Sequence, residues 1–89
     1  MNVKQEFAYK TIKRLHNKAK PYPLFSGYVN IPNSLIIANM AYDGIKINKQ
    51  EFESIILELK NQGLIDFKND ADGWYKYKLK WSISMTYKD

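Results

Sequence analysis

Three lysines near the end of the chain are spaced so that they can bind a row of phosphate groups. Lys76, Lys78 and Lys80 alternate with apolar or aromatic residues, and on an extended strand alternate side chains share one face. Trp74 has the same parity and joins the lysines on that face. Lysines that follow phosphates, beside an aromatic ring on which a base stacks, are typical of surfaces that bind single-stranded nucleic acid. The pattern predicts such a surface here.

A second basic group lies near the start of the chain. Residues 1–20 contain six basic side chains and one acidic side chain, Glu6. In a helix, Lys10, Lys13 and Arg14 lie on the side opposite the apolar residues. We expect this group to bind phosphates together with the final strand, provided that folding brings the two groups together.

Both groups also have explanations that involve no ligand. Lysines on the outer face of a strand commonly protect an exposed sheet edge from pairing with another chain. A basic helix face is commonly a solvated surface, and a tryptophan beside a turn can fold back over its own hairpin. The sequence leaves these alternatives open.

The sequence contains no pattern of catalytic or metal-binding residues. His16 is the only histidine and there is no cysteine, so thiolate metal sites and disulfides are excluded. Asp70 and Asp72 are predicted to form a turn rather than a catalytic carboxylate pair. We therefore predict a protein that is not an enzyme and that uses no metal or other cofactor.

The composition predicts one small basic domain. The chain has 89 residues, which fit a single domain over residues 1–89, and it has a formal charge of +5 and a pI of about 9.4. Such a charge favours an acidic partner, most often nucleic acid. Nothing resembles a signal peptide or an apolar run of the roughly 18 residues that cross a bilayer. We therefore expect a cytoplasmic protein without membrane contact.

Helical periodicity predicts three helices, at residues 2–20, 32–42 and 48–63. Pro32 is expected to open the second helix, and Asn48 to cap the third. The apolar stripes of these helices are predicted to be buried; they comprise Phe7, Ala8, Thr11, Ile12, Leu15 and Ala19 in the first, Leu35, Ile36, Ile37 and Met40 in the second, and Phe52, Ile55, Ile56 and Leu59 in the third.

Alternation and turn residues predict one short strand and one hairpin. The short strand covers residues 28–31, and the hairpin covers about 64–81. The hairpin is expected to contain a strand at 64–68, a polar turn at 69–73 and a returning strand from Trp74. The predicted fold class is therefore α+β, with three helices and a small antiparallel sheet.

Beyond the hairpin, Ile83, Met85 and Tyr87 continue the apolar parity of the last strand. We expect them to cover the core or to pair with another chain. The protein is accordingly predicted to be a monomer, or a weak dimer through its C-terminal strand.

The order of these elements resembles a winged helix-turn-helix domain, over nearly the whole chain. The segment LKNQGLI at residues 59–65 is similar to the usual exit from the third helix of such a domain into its wing. The chain also resembles the small winged-helix single-stranded-DNA-binding proteins encoded on staphylococcal cassette chromosome elements, through EFAYK at 6–10, VNIPNS at 29–34 and DGWYKY at 72–77. This resemblance implies a protein that binds single-stranded DNA and acts beside the replication proteins of a mobile genetic element.

Two other functions remain as alternatives. A winged-helix regulator of duplex DNA would act through the wing lysines and through Gln50 and Ser54 of the third helix, which in the ordinary docking enters the major groove. That helix has two lysines against three glutamates, a charge that disfavours contact with phosphates. A protein-interaction module would use the apolar residues at the end of the chain.

Overall fold

The computed structural model describes residues 2–18, 28–71 and 74–79, and at residues 70, 71 and 74 it describes the backbone. Its elements, in chain order, are α1 (Val3–Lys18), β1 (Val29–Pro32), α2 (Asn33–Tyr42), α3 (Lys49–Asn61), β2 (Ile65–Ala71) and β3 (Trp74–Leu79). The strands form one antiparallel three-stranded sheet. This confirms the predicted α+β fold of three helices with a small antiparallel sheet, a layout compatible with a winged helix.

The last strand occupies the centre of the sheet. The strand order is β1-β3-β2, so β3 is hydrogen-bonded on both sides. Tyr77 of β3 lies opposite Val29 of β1 and Phe67 of β2. Protection of a sheet edge therefore does not explain Lys76 and Lys78, because their strand is not an edge.

The hairpin differs from the prediction in the length of its first strand. The turn was expected to begin at Asn69, but β2 continues to Ala71, with an irregularity between Asn69 and Ala71 in its pairing with β3. Pairing with a long central strand outweighs the turn preference of Asn and Asp, and a bulge accommodates the extra residue. Residues 72 and 73, the rest of the predicted turn, lie outside the described residues.

The core lies between the three helices and the inner face of the sheet. Its buried apolar residues are Ala8, Ile12, Ile31, Ile36, Met40, Phe52, Ile55, Ile56, Leu59, Leu64, Ile65 and Tyr77. Thr11 of α1 is also buried, as predicted, and Phe7 and Leu15 pack against the core while remaining partly exposed. Ala19, the last member of the predicted α1 stripe, lies outside the described residues.

The second helix departs from the prediction at its start and on one side. Pro32 ends β1 and is the N-cap of α2, so the first helical residue is Asn33. Ile36 and Met40 are buried as expected, but Leu35 is 44% exposed. Adjacent helical residues are about 100° apart, so a helix that buries Ile36 and Met40 turns Leu35 partly toward solvent.

The third helix forms as the sequence predicts. The Asn48 side-chain oxygen accepts a hydrogen bond from the backbone N–H of Glu51 at 2.7 Å. All of its predicted apolar stripe is buried. Gly63, just beyond the helix, has a φ of +79°, a conformation that glycine adopts without steric cost.

Candidate nucleic-acid interface

The outer face of the sheet gathers the basic side chains of two strands. Tyr77 points into the core, so its neighbours in β3 point away from the helices, and the register places residues of β1 and β2 beside them. We call this surface the lysine face; it comprises Tyr28, Asn30, Asp66, Lys68, Lys76 and Lys78.

An aromatic ring lies at the centre of this cluster. The Tyr28 hydroxyl donates a hydrogen bond of 2.5 Å to Oδ2 of Asp66. Since β3 separates β1 from β2, the Tyr28 side chain must cross the central strand to reach Asp66. The Nζ atoms of Lys68 and Lys78 lie 4.7 and 5.6 Å from the centre of the Tyr28 ring, within the range of cation–π attraction. One ring thus positions two amines.

Asp66, the acidic residue of the lysine face, contacts Tyr28 and Lys60. The hydrogen bond from Tyr28 holds the pKa of Asp66 below its usual value, and the nearby Lys60 lowers it further, against an opposing effect of burial. Lys60 Nζ lies 3.5 Å from Oδ1 of Asp66. The same hydrogen bond, with some burial, raises the pKa of Tyr28. At neutral pH Asp66 is therefore a carboxylate and Tyr28 a neutral donor.

Two lysines of the lysine face are direct neighbours across strands. The register pairs Lys76 of β3 with Lys68 of β2 on one side and with Asn30 of β1 on the other. Like charges directly opposite each other in a sheet are destabilising. The register thus places two amines side by side, where both can attract a bound anion.

The basic side chains of α1 make contacts of their own. Lys10 Nζ lies 3.7 Å from a carboxylate oxygen of Glu6, and Arg14 donates a hydrogen bond of 3.3 Å to the Asn39 side-chain oxygen in α2. Lys13 Nζ lies 6.0 Å from the Tyr9 ring centre. The apolar side of α1 packs on the core beneath the sheet, so its basic side and the lysine face are separate surfaces.

The C-terminal end of α1 nevertheless approaches the sheet. Leu15 and Lys18 of α1, with Asn30 of β1, line a groove of about 230 Å³. Asn30 also belongs to the lysine face, where it lies opposite Lys76. Lys18, rather than Lys10 or Arg14, is therefore the basic residue of α1 that adjoins the lysine face.

Several predicted binding residues are only partly described. The backbone of Trp74 begins β3 and pairs with Pro32 and Ala71, but its side chain is not among those described. Lys80 lies outside the described residues, as do Ile83, Met85 and Tyr87. Their proposed roles remain predictions.

Tyr28 and Lys68 belong to the lysine face but were not predicted as binding residues. A signal for each was present: Tyr28 and Asn30 alternate with the apolar Val29 and Ile31, which gives Tyr28, just before β1, the same outward parity as Asn30. Lys68 likewise follows Phe67, which packs against the core. What the sequence does not show is that both residues meet Lys78 on one face.

Comparison of the chain with protein-family models, with curated proteins and with solved structures found no match. Within residues 2–18, 28–71 and 74–79, no group of three or more His, Cys, Asp or Glu side chains is placed to hold a metal ion. In the same part of the chain, no helix has the length and apolar character needed to cross a membrane.

Proposed function

We propose that this chain is a non-enzymatic protein that binds single-stranded DNA, largely without regard to sequence, through its lysine face. The observation that carries the proposal is the convergence of Lys68 and Lys78 on the Tyr28 ring. Lys76 adds a third basic residue to the same face, directly opposite Lys68 in the register. Two amines at one aromatic ring, with a third basic residue beside them, supply both phosphate neutralisation and a surface for a base.

The spacing within the sheet suits an extended polyanion. Lys76 and Lys78 are two residues apart on one strand, a separation of roughly 7 Å between their Cα atoms. A strand of nucleic acid that follows β3 would meet one amine after another. Because the Tyr28 ring holds Lys78 and Lys68 in place, less side-chain freedom is lost on binding.

The third helix supports a preference for single strands over duplexes. Glu51 forms an ion pair with Lys4 at 2.5 Å, which offsets one of its three carboxylates. Glu53 and Glu58 remain, together with Lys49 and Lys60, on the helix that would enter a major groove in the ordinary docking, so α3 presents no excess of positive charge to phosphates. The excess of positive charge lies on the sheet instead, at Lys68, Lys76 and Lys78.

The resemblance to the proteins of staphylococcal cassette chromosome elements supports a biological setting. We place the protein in the cytoplasm, beside the replication proteins of a mobile genetic element. Lys80 and Trp74 would extend the lysine face along β3 if they follow the parity of Lys76 and Lys78.

Fluorescence anisotropy on matched single and double strands tests the proposal. We expect tighter binding to the single strand. If three phosphates are neutralised, log affinity should fall with log salt at a slope of about −2, because each single-strand phosphate contributes roughly −0.7.

Two results would overturn the proposal. Tighter binding to the duplex would favour a winged-helix regulator acting through Gln50 and Ser54, both of which are exposed on α3. Absence of binding to either form at low salt would favour a protein-interaction module.

A further inference from the structure

A groove on the other side of the hairpin contains polar groups that the lysine face does not use. It has a volume of about 440 Å³ and lies between the start of α2, the first half of α3 and the hairpin strands. Its volume is in the range of sites that hold small organic ligands, roughly 300–1,000 Å³. The residues that line it are Asn33, Ser34, Ile37, Lys49, Glu53, Asn69 and Tyr75.

Two of these groups are incompletely satisfied. Asn33 is 5% exposed, and its side-chain oxygen accepts a hydrogen bond of 2.5 Å from the hydroxyl of Tyr77. Its amide nitrogen Nδ2 has no hydrogen-bond partner among the described residues. Glu53 is half-buried and forms no ion pair with another described residue, although Lys49 lines the same groove. The buried donor without an acceptor costs free energy, which a ligand that accepts a hydrogen bond can recover.

The wall of the groove also offers an aromatic surface. Tyr75 is half-buried, and its ring stacks on that of Tyr77 with 6.0 Å between centroids and 21° between planes. Phe67 supports it from a second side, at 5.5 Å between centroids. The ring of Tyr75 is thus fixed by its neighbours before any ligand binds.

The charges of the side chains in the groove, and the hydrogen bonds that they can form, indicate which class of ligand it binds. Glu53 and Lys49 bring one negative and one positive charge to the groove, so it lacks the excess of positive charge that would select a phosphate. A nucleobase fits, since it has an aromatic face for Tyr75 together with donors and acceptors on its edge. Guanine fits best: its N1–H and N2–H groups lie side by side and can both donate to one carboxylate, while its O6 accepts from an amide or an ammonium group.

We infer that this groove binds one guanine base of the single strand, with Glu53 accepting from the base edge, Asn33 or Lys49 donating to O6, and Tyr75 stacking on the ring. The inference rests on the proposed function for its ligand, and adds one position at which the protein reads sequence. It also gives a role to the carboxylate that disfavours phosphate contact by α3.

The test uses thymidine oligomers of about 15 nucleotides, within the usual range of single-strand site sizes, with or without one central guanine. We expect the guanine to raise affinity about tenfold, with inosine, which lacks the 2-amino group, in between. Glu53→Gln should abolish the preference but keep binding to the thymidine oligomer. Glu58→Gln is the matched control, because Glu58 is on the same helix but accepts a hydrogen bond from Gln62 outside the groove.

The results separate this inference from the proposed function. Equal affinity for the oligomers with and without guanine would overturn the guanine groove and leave the lysine face intact. If no oligomer binds, the proposed function fails, and guanosine itself becomes the probe, titrated against adenosine by NMR. Guanosine that shifts the signals of Tyr75 and Asn33 no more than adenosine does would then overturn the groove as well. Thermal unfolding of each variant checks that its fold is retained.

Discussion

The basic side chains of α1 and those of the sheet differ in what they face. On α1, Lys10 faces a carboxylate one turn away and Arg14 faces an amide of α2. On the sheet, Lys68 and Lys78 face the same tyrosine ring. The comparison teaches that a count of positive charges along the sequence does not locate a binding surface. Amines from different strands produce a concentrated potential only when the register brings them together.

The two regions should differ most in how much single-strand affinity is lost when their basic side chains are replaced. Replacing Lys68 and Lys78 together by Gln is expected to weaken single-strand binding by about tenfold to a hundredfold at low salt, and to flatten the salt slope by roughly 1.4. The matched variant Lys10→Gln/Arg14→Gln removes the same charge from α1 and should weaken single-strand binding by less than about threefold. Anisotropy titrations over a range of salt concentrations measure both. Equal losses would mean that the two regions bind as one surface.

Removal of the ring tests why the sheet differs from α1. Tyr28→Ala should weaken binding about fivefold to tenfold, because the ring both stacks with a base and positions two amines. Tyr28→Phe keeps the ring and loses the hydrogen bond to Asp66, so it should retain most of the affinity. If the phenylalanine variant binds as weakly as the alanine variant, the hydroxyl rather than the ring is what matters. Near-ultraviolet circular dichroism monitors the fold of both.

Asp66 is the acidic residue of the lysine face. Its removal should make this face bind single strands more tightly, and so increase its difference from α1. Asp66→Asn should raise single-strand affinity by about twofold to threefold, because it removes one partly screened carboxylate that repels phosphates. The same change should lower the free energy of unfolding at pH 7 by about 1 kcal/mol, through loss of a charged hydrogen bond. A drop in affinity would show that the position of Tyr28 matters more than the net charge.

The stabilising effect of Asp66 should depend on pH in a definite direction. Its folded-state pKa lies below that of the unfolded chain, so its contribution is present above the unfolded value, near 4. The contribution is lost as the pH falls through the lower, folded-state pKa. Urea unfolding of wild type and Asp66→Asn should therefore show a difference at pH 7 that shrinks below about pH 4. A difference that is constant with pH would contradict this assignment.

The smallest effect is expected where the two regions approach each other. Lys18→Gln should weaken binding by no more than about twofold, because Lys18 adjoins the lysine face at Asn30 without joining the cluster at Tyr28. Lys46→Gln, at an exposed loop position, is the control. If Lys18→Gln weakens binding as much as Lys78→Gln does, the binding surface includes Lys18 of α1.

Local patterns in the sequence predicted much of this fold. The cap at Asn48 and the buried stripe of α3 depend on residues within four positions of each other, and both were confirmed. The alternation in β3 correctly placed Tyr77 inside and Lys76 outside. These features follow from helix and strand periods, which a sequence displays directly.

The parts that the sequence did not predict depend on distant pairing. The central position of β3 arises from its pairing with β1, which is more than forty residues away in the register Val29 to Tyr77. The convergence of Tyr28, Lys68 and Lys78 follows from that strand order. For the same reason the turn residues at 69–71 were placed wrongly, since their preference is overridden by the partner strand.

The pairing of Lys68 with Lys76 gives dissolved salt two opposite effects on this domain. Added ions screen the repulsion between the two amines, so they should raise the melting temperature of the free protein. The same ions compete with the lysines for phosphates, so they should weaken the complex with DNA. The free domain would thus have its highest melting temperature at high salt, where its affinity for DNA is lowest. At low salt, a bound strand would stabilise the fold in place of the ions.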